Sequence, residues 1–211
     1  FDCTVETINE DNFDVGHLYQ WHALDEVDST LPEVDGPTIS IVHDFRRHSI
    51  LFGKKLPKPF DVLSQEVVSR YGSTLYGHGL TWSFIDLDAF DFHVQDFIFA
   101  TPIDAETTLY TTFLRRVFPK TKPGTWREHA KRAFHPVLFA MFVWRLRQEH
   151  RHEGHGFWEN QKDVRDPIIT DTERAMFEPY WEWCRQFDPD GLPRAQAKEP
   201  LTPKLCVVAS S

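Results

Sequence analysis

The spacing of large apolar residues changes several times along the chain, and each change predicts a different element. Residues 1–8, "FDCTVETI", read as a short strand entering the polar "NEDN", a helix-capping sequence. A helix is predicted over 12–22. The segment 28–62 holds Pro32, Gly36, Pro37, Gly53, Pro57 and Pro59 around one strand-like patch, "TISIVHDF", and reads as a partly irregular surface excursion. From 66 to 118 the period becomes two, punctuated by Gly77, Gly79 and Pro102, which predicts three or four antiparallel strands with one buried face. Trp82, Phe84, Phe90, Phe92 and Val94 fall on one alternation there, Ile85 and Leu87 on the other. After the break "FPKTKPGTW" (118–126), helical spacing returns over 128–152, with Pro136 at a kink or second start, and again over 171–187. The tail from 188 on reads as loosely ordered. Long helices on an antiparallel sheet define an α+β architecture.

Composition narrows the class. The chain of 211 residues is sized for one domain with a real core, and 41 % hydrophobic with 26 % charged residues is the balance of a soluble globular protein. The longest apolar run, "VLFAMFVW" (137–144), is far short of the ~20 residues a membrane helix needs. A formal charge of −9, with "RRHSILFGKK" (46–55) as its main basic stretch, disfavours nucleic acid as a partner. Cys3, Cys184 and Cys206 form neither a CxxC pair nor a disulfide framework, which fits a reducing compartment and a cytoplasmic or membrane-adjacent location. Eleven histidines and seven tryptophans are unusual, and they direct attention to a metal or an aromatic-lined pocket.

The first histidine pair lies in "NEDNFDVGHLYQWH" (9–22). Asp14 and His17 are i,i+3 and share a helix face, but His17 and His22 are i,i+5, about 140° apart on an ideal helix. The two can hold one ion only where the helix ends or loosens between them; otherwise they are two satisfied histidines on a helix flank. His43 and His48 repeat the spacing on a strand-like segment, where odd separations face opposite ways, and read as structural. His78 and His93 fall within the sheet pattern and read as hydrogen-bonded core histidines. His150, His152 and His155 form a row at the predicted end of the long helix.

"EDNFDVGHLYQWH" (10–22) resembles the iron-binding signature of the Rieske non-haem iron oxygenases, in which an Asn and an Asp precede His-x4-His. "GFWENQKDVRDPIITDTERAMFEPYWEWCRQFD" (156–188) is similar to the end of these enzymes, and "FIFATPIDAETTLYTTFLRRV" (97–117) to their last strand before the long helix. The match is collinear over 1–188 and is nearest to the oxygenase components of the 3-ketosteroid 9α-hydroxylases and the Neverland-type cholesterol 7-desaturases. The resemblance implies a helix-grip catalytic domain over 1–188, an antiparallel sheet wrapped on a long C-terminal helix, with 189–211 as a tail. It implies a mononuclear Fe(II) held by His17 and His22, Asp14 as an acid hydrogen-bonded to a ligand histidine, and Asn12 as a side chain near the iron. The reaction it implies is O2-dependent hydroxylation or desaturation of a bulky hydrophobic, sterol-like or aromatic substrate.

Two departures accompany the resemblance. Where the family places a ligand Asp, four residues before Trp158, this chain has Gly154. Glu153 is the expected third ligand; His155, or no third ligand, are the alternatives. No Cys-x-His pair for a Rieske 2Fe-2S cluster occurs, so that cluster is expected only on an upstream domain missing from this chain. The resemblance further implies a ferredoxin or reductase as electron donor and a homotrimer. The rival expectation is a non-catalytic helix-grip module that binds a hydrophobic ligand and whose metal site has degenerated.

Overall fold

The computed structural model describes residues 1–20, 22, 24, 26–47, 67–87, 91–118, 124–161 and 169–187. Its architecture is α+β: an antiparallel seven-stranded sheet with helices gathered against it.

The N-terminal segment is helical, contrary to the strand expected over 1–8. Thr4 caps α1 (Val5–Glu10) by accepting from the Thr7 amide, and the β-branched Val5 and Ile8 bury one i,i+3 face. The single helix expected over 12–22 is broken into a 3-10 turn, Asp11–Phe13, and α2 (Val15–Gln20). The Asp14 carboxylate accepts from the His17 amide at 2.9 Å, the contact of an N-cap residue, and this restarts the helix one residue on.

The expected surface excursion is largely sheet. β1 (Glu26–Ser29) and β2 (Glu33–Asp35) both pair with β3 (Thr38–Arg47), whose "TISIVHDF" is its core. Gly36, at φ 54°, makes the tight β2–β3 turn that a side chain would resist. Residues 48–62 lie outside the described residues. β4 (Val67–Tyr76), β5 (Leu80–Leu87), β6 (Phe92–Pro102) and β7 (Thr108–Val117) complete the order β1-β3-β4-β5-β6-β7.

The face assignment differs from the expectation. Register pairs Ile85 with Val94 and Leu87 with Phe92, so these four share the inner face with Thr81, Ser83 and Asp96. Trp82 and Phe84 lie on the outer face, where the Phe84 ring covers Gly72 so closely that a Cβ there would sit 2.2 Å from it. The phase shifts through the turn between β5 and β6, where Asp91 has φ 52°. An alternation cannot be extended through a turn whose length is unknown. Phe90 lies outside the described residues.

Two capping boxes start the long helices: Thr125 with Glu128 for α3 (Trp126–Gly156), and Thr170 with Glu173 for α4 (Asp171–Arg185). Pro136 and Pro179 lie inside them without ending them. α4 packs Met176, Phe177, Tyr180 and Trp183 on Ile39, Ile41 and Leu75 with Phe13. α3 contributes Leu138 to Leu87, Phe92 and Val94. A third cluster, Cys3, Ile8 and Trp158 with Phe1 and Tyr110, ties the N-terminus to the end of α3. Among the described residues no helix is long and apolar enough to cross a membrane. The tail from 188 is outside the described residues.

Candidate metal centre

The break between the 3-10 turn and α2, and the early end of α2, together decide where the first two histidines point. α2 stops at Gln20, and the Leu24 amide reaches back to the Leu18 carbonyl, so His22 sits beyond the helix rather than 140° around it. The rings of His17 and His22 meet edge to face, 5.0 Å between centroids. Glu153 comes from the last turn of α3, a helix continuous to Gly156, and is buried at 3 % exposure.

One donor atom from each of His17, His22 and Glu153 lies within 4.8 Å of the others, a set able to hold a metal ion. Glu153 Oε1 is 3.1 Å from His22 Nε2 and 3.7 Å from His17 Nε2. Two ligands, each about 2.1 Å from one ion and at right angles, stand about 3 Å apart. Despite its proximity to both imidazoles, Oε1 is buried and accepts no well-formed hydrogen bond. That combination of short separations and unfulfilled hydrogen bonding suits atoms directed at a common point between them.

The charges are consistent with a divalent cation. Asp11 is enclosed, with Oδ1 3.3 Å from His17 Nδ1 and Oδ2 accepting from Trp158 Nε1 at 3.4 Å. Burial pushes its carboxyl up to about 7, against the attraction of His17. Burial also acts against the Glu153 carboxylate, but the two imidazoles outweigh it and hold the group below its ordinary range. His17 is pulled down by burial and raised more by Glu153, Asp11 and Asp14. Two buried carboxylates beside two imidazoles need a compensating positive charge, which imidazolium or a metal ion can supply. With Nδ1 toward Asp11, Nε2 of His17 faces Glu153 Oε1 and the point the three donors share, the usual arrangement of a carboxylate behind a ligand histidine.

The role expected of Asp14 falls to another residue, and His155, the alternative third ligand, lies elsewhere. Asp14 serves the backbone of α2, and Asp11, three residues earlier, is the acid beside the His17 ring, because the 3-10 turn swings Asp11 inward. His155 faces outward with Nδ1 2.9 Å from Glu159, so it leaves the site to Glu153. Asn12 lines the cavity described below, accepts from Tyr71 at 2.7 Å and donates to the Asn9 carbonyl. Its carbonyl contacts His43 Nε2, whose Nδ1 meets Ser29, so His43 is a structural core group; His48 lies outside the described residues. His150 is no frayed surface residue: it is enclosed against Tyr110 and Trp158, and burial lowers its pKa.

Gly154 has a packing reason. The Phe1 ring lies across it, and a Cβ would meet that ring at 2.0 Å. Phe1 is fixed in place by its amino group, which donates to the Thr108 carbonyl at 3.0 Å.

The triad opens on a cavity of about 320 Å³ between the inner sheet face and α3. Ile85, Leu87, Phe92, Val94, Leu138 and Phe142 form its apolar side, and Ser69, Tyr71, Thr81, Ser83 and Asp96 a polar strip. Concave, mostly apolar, with a few convergent polar groups, it has the character of a small-molecule site.

No family model and no curated protein matches the chain. Among solved structures, a Staphylococcus aureus protein of unknown function, SA2116, superposes with a TM-score of 0.38 at 12 % identity, covering 72 % of this chain and 86 % of that one. A likeness at that level identifies neither family nor activity.

Proposed function

We propose that this chain is the catalytic domain of a Rieske-type mononuclear non-haem iron oxygenase with a helix-grip fold. It hydroxylates or desaturates a bulky hydrophobic molecule. The observation that carries the reading is the convergence of two histidines and one carboxylate at the wall of an apolar cavity, the donor set of the two-histidine, one-carboxylate iron sites. His17, His22 and Glu153 would hold a ferrous ion, which would supply the redox chemistry that activates O2.

The chain's own residues supply the rest. Asp11 Oδ1 stands 3.3 Å from His17 Nδ1, placed to orient that ring, and Trp158 Nε1 donates to the other Asp11 oxygen. The aliphatic and aromatic wall desolvates the substrate and keeps water from the site. Under this reading the two electrons for O2 activation would be supplied from outside this chain, by a Rieske 2Fe-2S cluster served by a ferredoxin or reductase, and a homotrimer would bring a neighbouring subunit's cluster close.

Anaerobic purification followed by metal analysis tests the reading. About one iron per chain is expected, lost in His17→Ala and in Glu153→Ala. An iron-free chain that still takes up a hydrophobic ligand supports the rival, a binding module whose His–Glu cluster is merely an ion pair.

A further inference from the structure

The polar strip on the cavity floor is ordered by register. Ser73, Ser83 and Asp96 lie on one line across β4, β5 and β6, with Tyr71 and Thr81 on the lines to either side. Following the protons through this strip decides what it offers a ligand.

Asn9 donates through Nδ2 to the His78 carbonyl and Asn12 through Nδ2 to the Asn9 carbonyl, so both side-chain oxygens are acceptors. The Tyr71 hydroxyl spends its proton on Asn12 Oδ1, and Thr81 spends its own on Asn9 Oδ1. Ser83 donates to Ser73, and its hydroxyl also contacts Tyr71. Thr112 donates to Asp96. Tyr71, Thr81, Ser83 and Asp96 therefore face the cavity with lone pairs and no protons to give. The Asp96 carboxyl is pushed up to about 6 by burial, against the Thr112 hydrogen bond, so it is ionised above neutral pH. A further observation marks the cavity as made for an occupant: at the far end of the strip Ser69 Oγ lines the cavity, is 1 % exposed as a residue, and among the described residues has no hydrogen-bond partner. Native interiors rarely leave such a group unmet.

We infer that the cavity selects a hydrophobic molecule bearing an alcohol or phenol hydroxyl, whose proton is taken by the acceptor strip at Asp96 and Ser83 while Ile85, Val94, Leu138 and Phe142 enclose the apolar body. A ketone of the same skeleton brings an acceptor to the acceptors at Asp96 and Ser83 and offers them no proton. The inference takes from the proposed function only the cavity as the substrate site, and needs no iron.

The test is calorimetric titration of metal-free full-length chain, above neutral pH, with the matched pair 2-tetralol and 2-tetralone. The alcohol is expected to bind roughly tenfold or more tightly than the ketone, the discrimination of one hydrogen bond to a charged acceptor. Asp96→Asn puts a donor on the strip and should shrink or invert that ratio; Ser83→Ala, the milder change, should reduce it. Equal binding, a preference for the ketone, no binding of either compound, or an unchanged ratio in the folded variants overturns the inference. Because no metal is present, each of these outcomes leaves the iron analysis above to stand or fall alone.

Discussion

At the scale of single residues, Glu153 and Gly154 divide two tasks between neighbours on one helix. Glu153 turns its carboxylate to the histidines, and Gly154 gives its missing side chain's space to the Phe1 ring. A ligand at 154 is therefore excluded by packing, and the carboxylate comes from one residue earlier with one more methylene of reach. Gly154→Ala drives a methyl into that ring and should destabilise the fold by about 1–3 kcal/mol in a denaturant melt. An unchanged midpoint would show that Phe1 moves aside freely. Glu153 was legible through the family resemblance, which calls for an acid near Trp158 and left few candidates. Asp11 was not, since only the 3-10 turn, set by Asp14 capping the next helix, aims it at His17. Nor was Asp96, whose neighbours are all from other strands.

At the scale of elements, the long helices and the sheet were legible where periodicity was long and capped. The Thr125–Glu128 and Thr170–Glu173 boxes mark both helix starts in the sequence itself. Short elements were not legible: the β-branched "TVETI" suits a strand by propensity, yet Thr4 caps it and tertiary burial of Val5 and Ile8 makes it a helix. The strands β1 and β2 contain too few residues to show a period, and they exist because β3 offers an edge to pair with. Replacing Thr170 by Ala removes the α4 cap and is expected to lower stability by about 1 kcal/mol in a urea titration. No measurable loss would mean that the Tyr180 and Trp183 packing alone holds the start of α4.

At the scale of the molecule, two of the three core clusters border a space rather than fill it: Leu87, Phe92, Val94 and Leu138 line the cavity on one side and Ile8 and Trp158 on another, while the α4 cluster packs on the sheet away from it. The candidate metal-ligand set lies where the N-terminal segment meets the end of α3, so the site joins residues separated by most of the chain. Such a site is closed only by the completed fold, which is why the i,i+5 spacing of His17 and His22 could not show their convergence and the family resemblance alone indicated them. Anomalous diffraction at the iron edge, on crystals of the anaerobically iron-loaded protein, tests that convergence most directly. One peak is expected, about 2.1 Å from Nε2 of His17, Nε2 of His22 and a Glu153 carboxylate oxygen. A peak elsewhere, or none at the triad of a fully folded, iron-treated chain, contradicts the account.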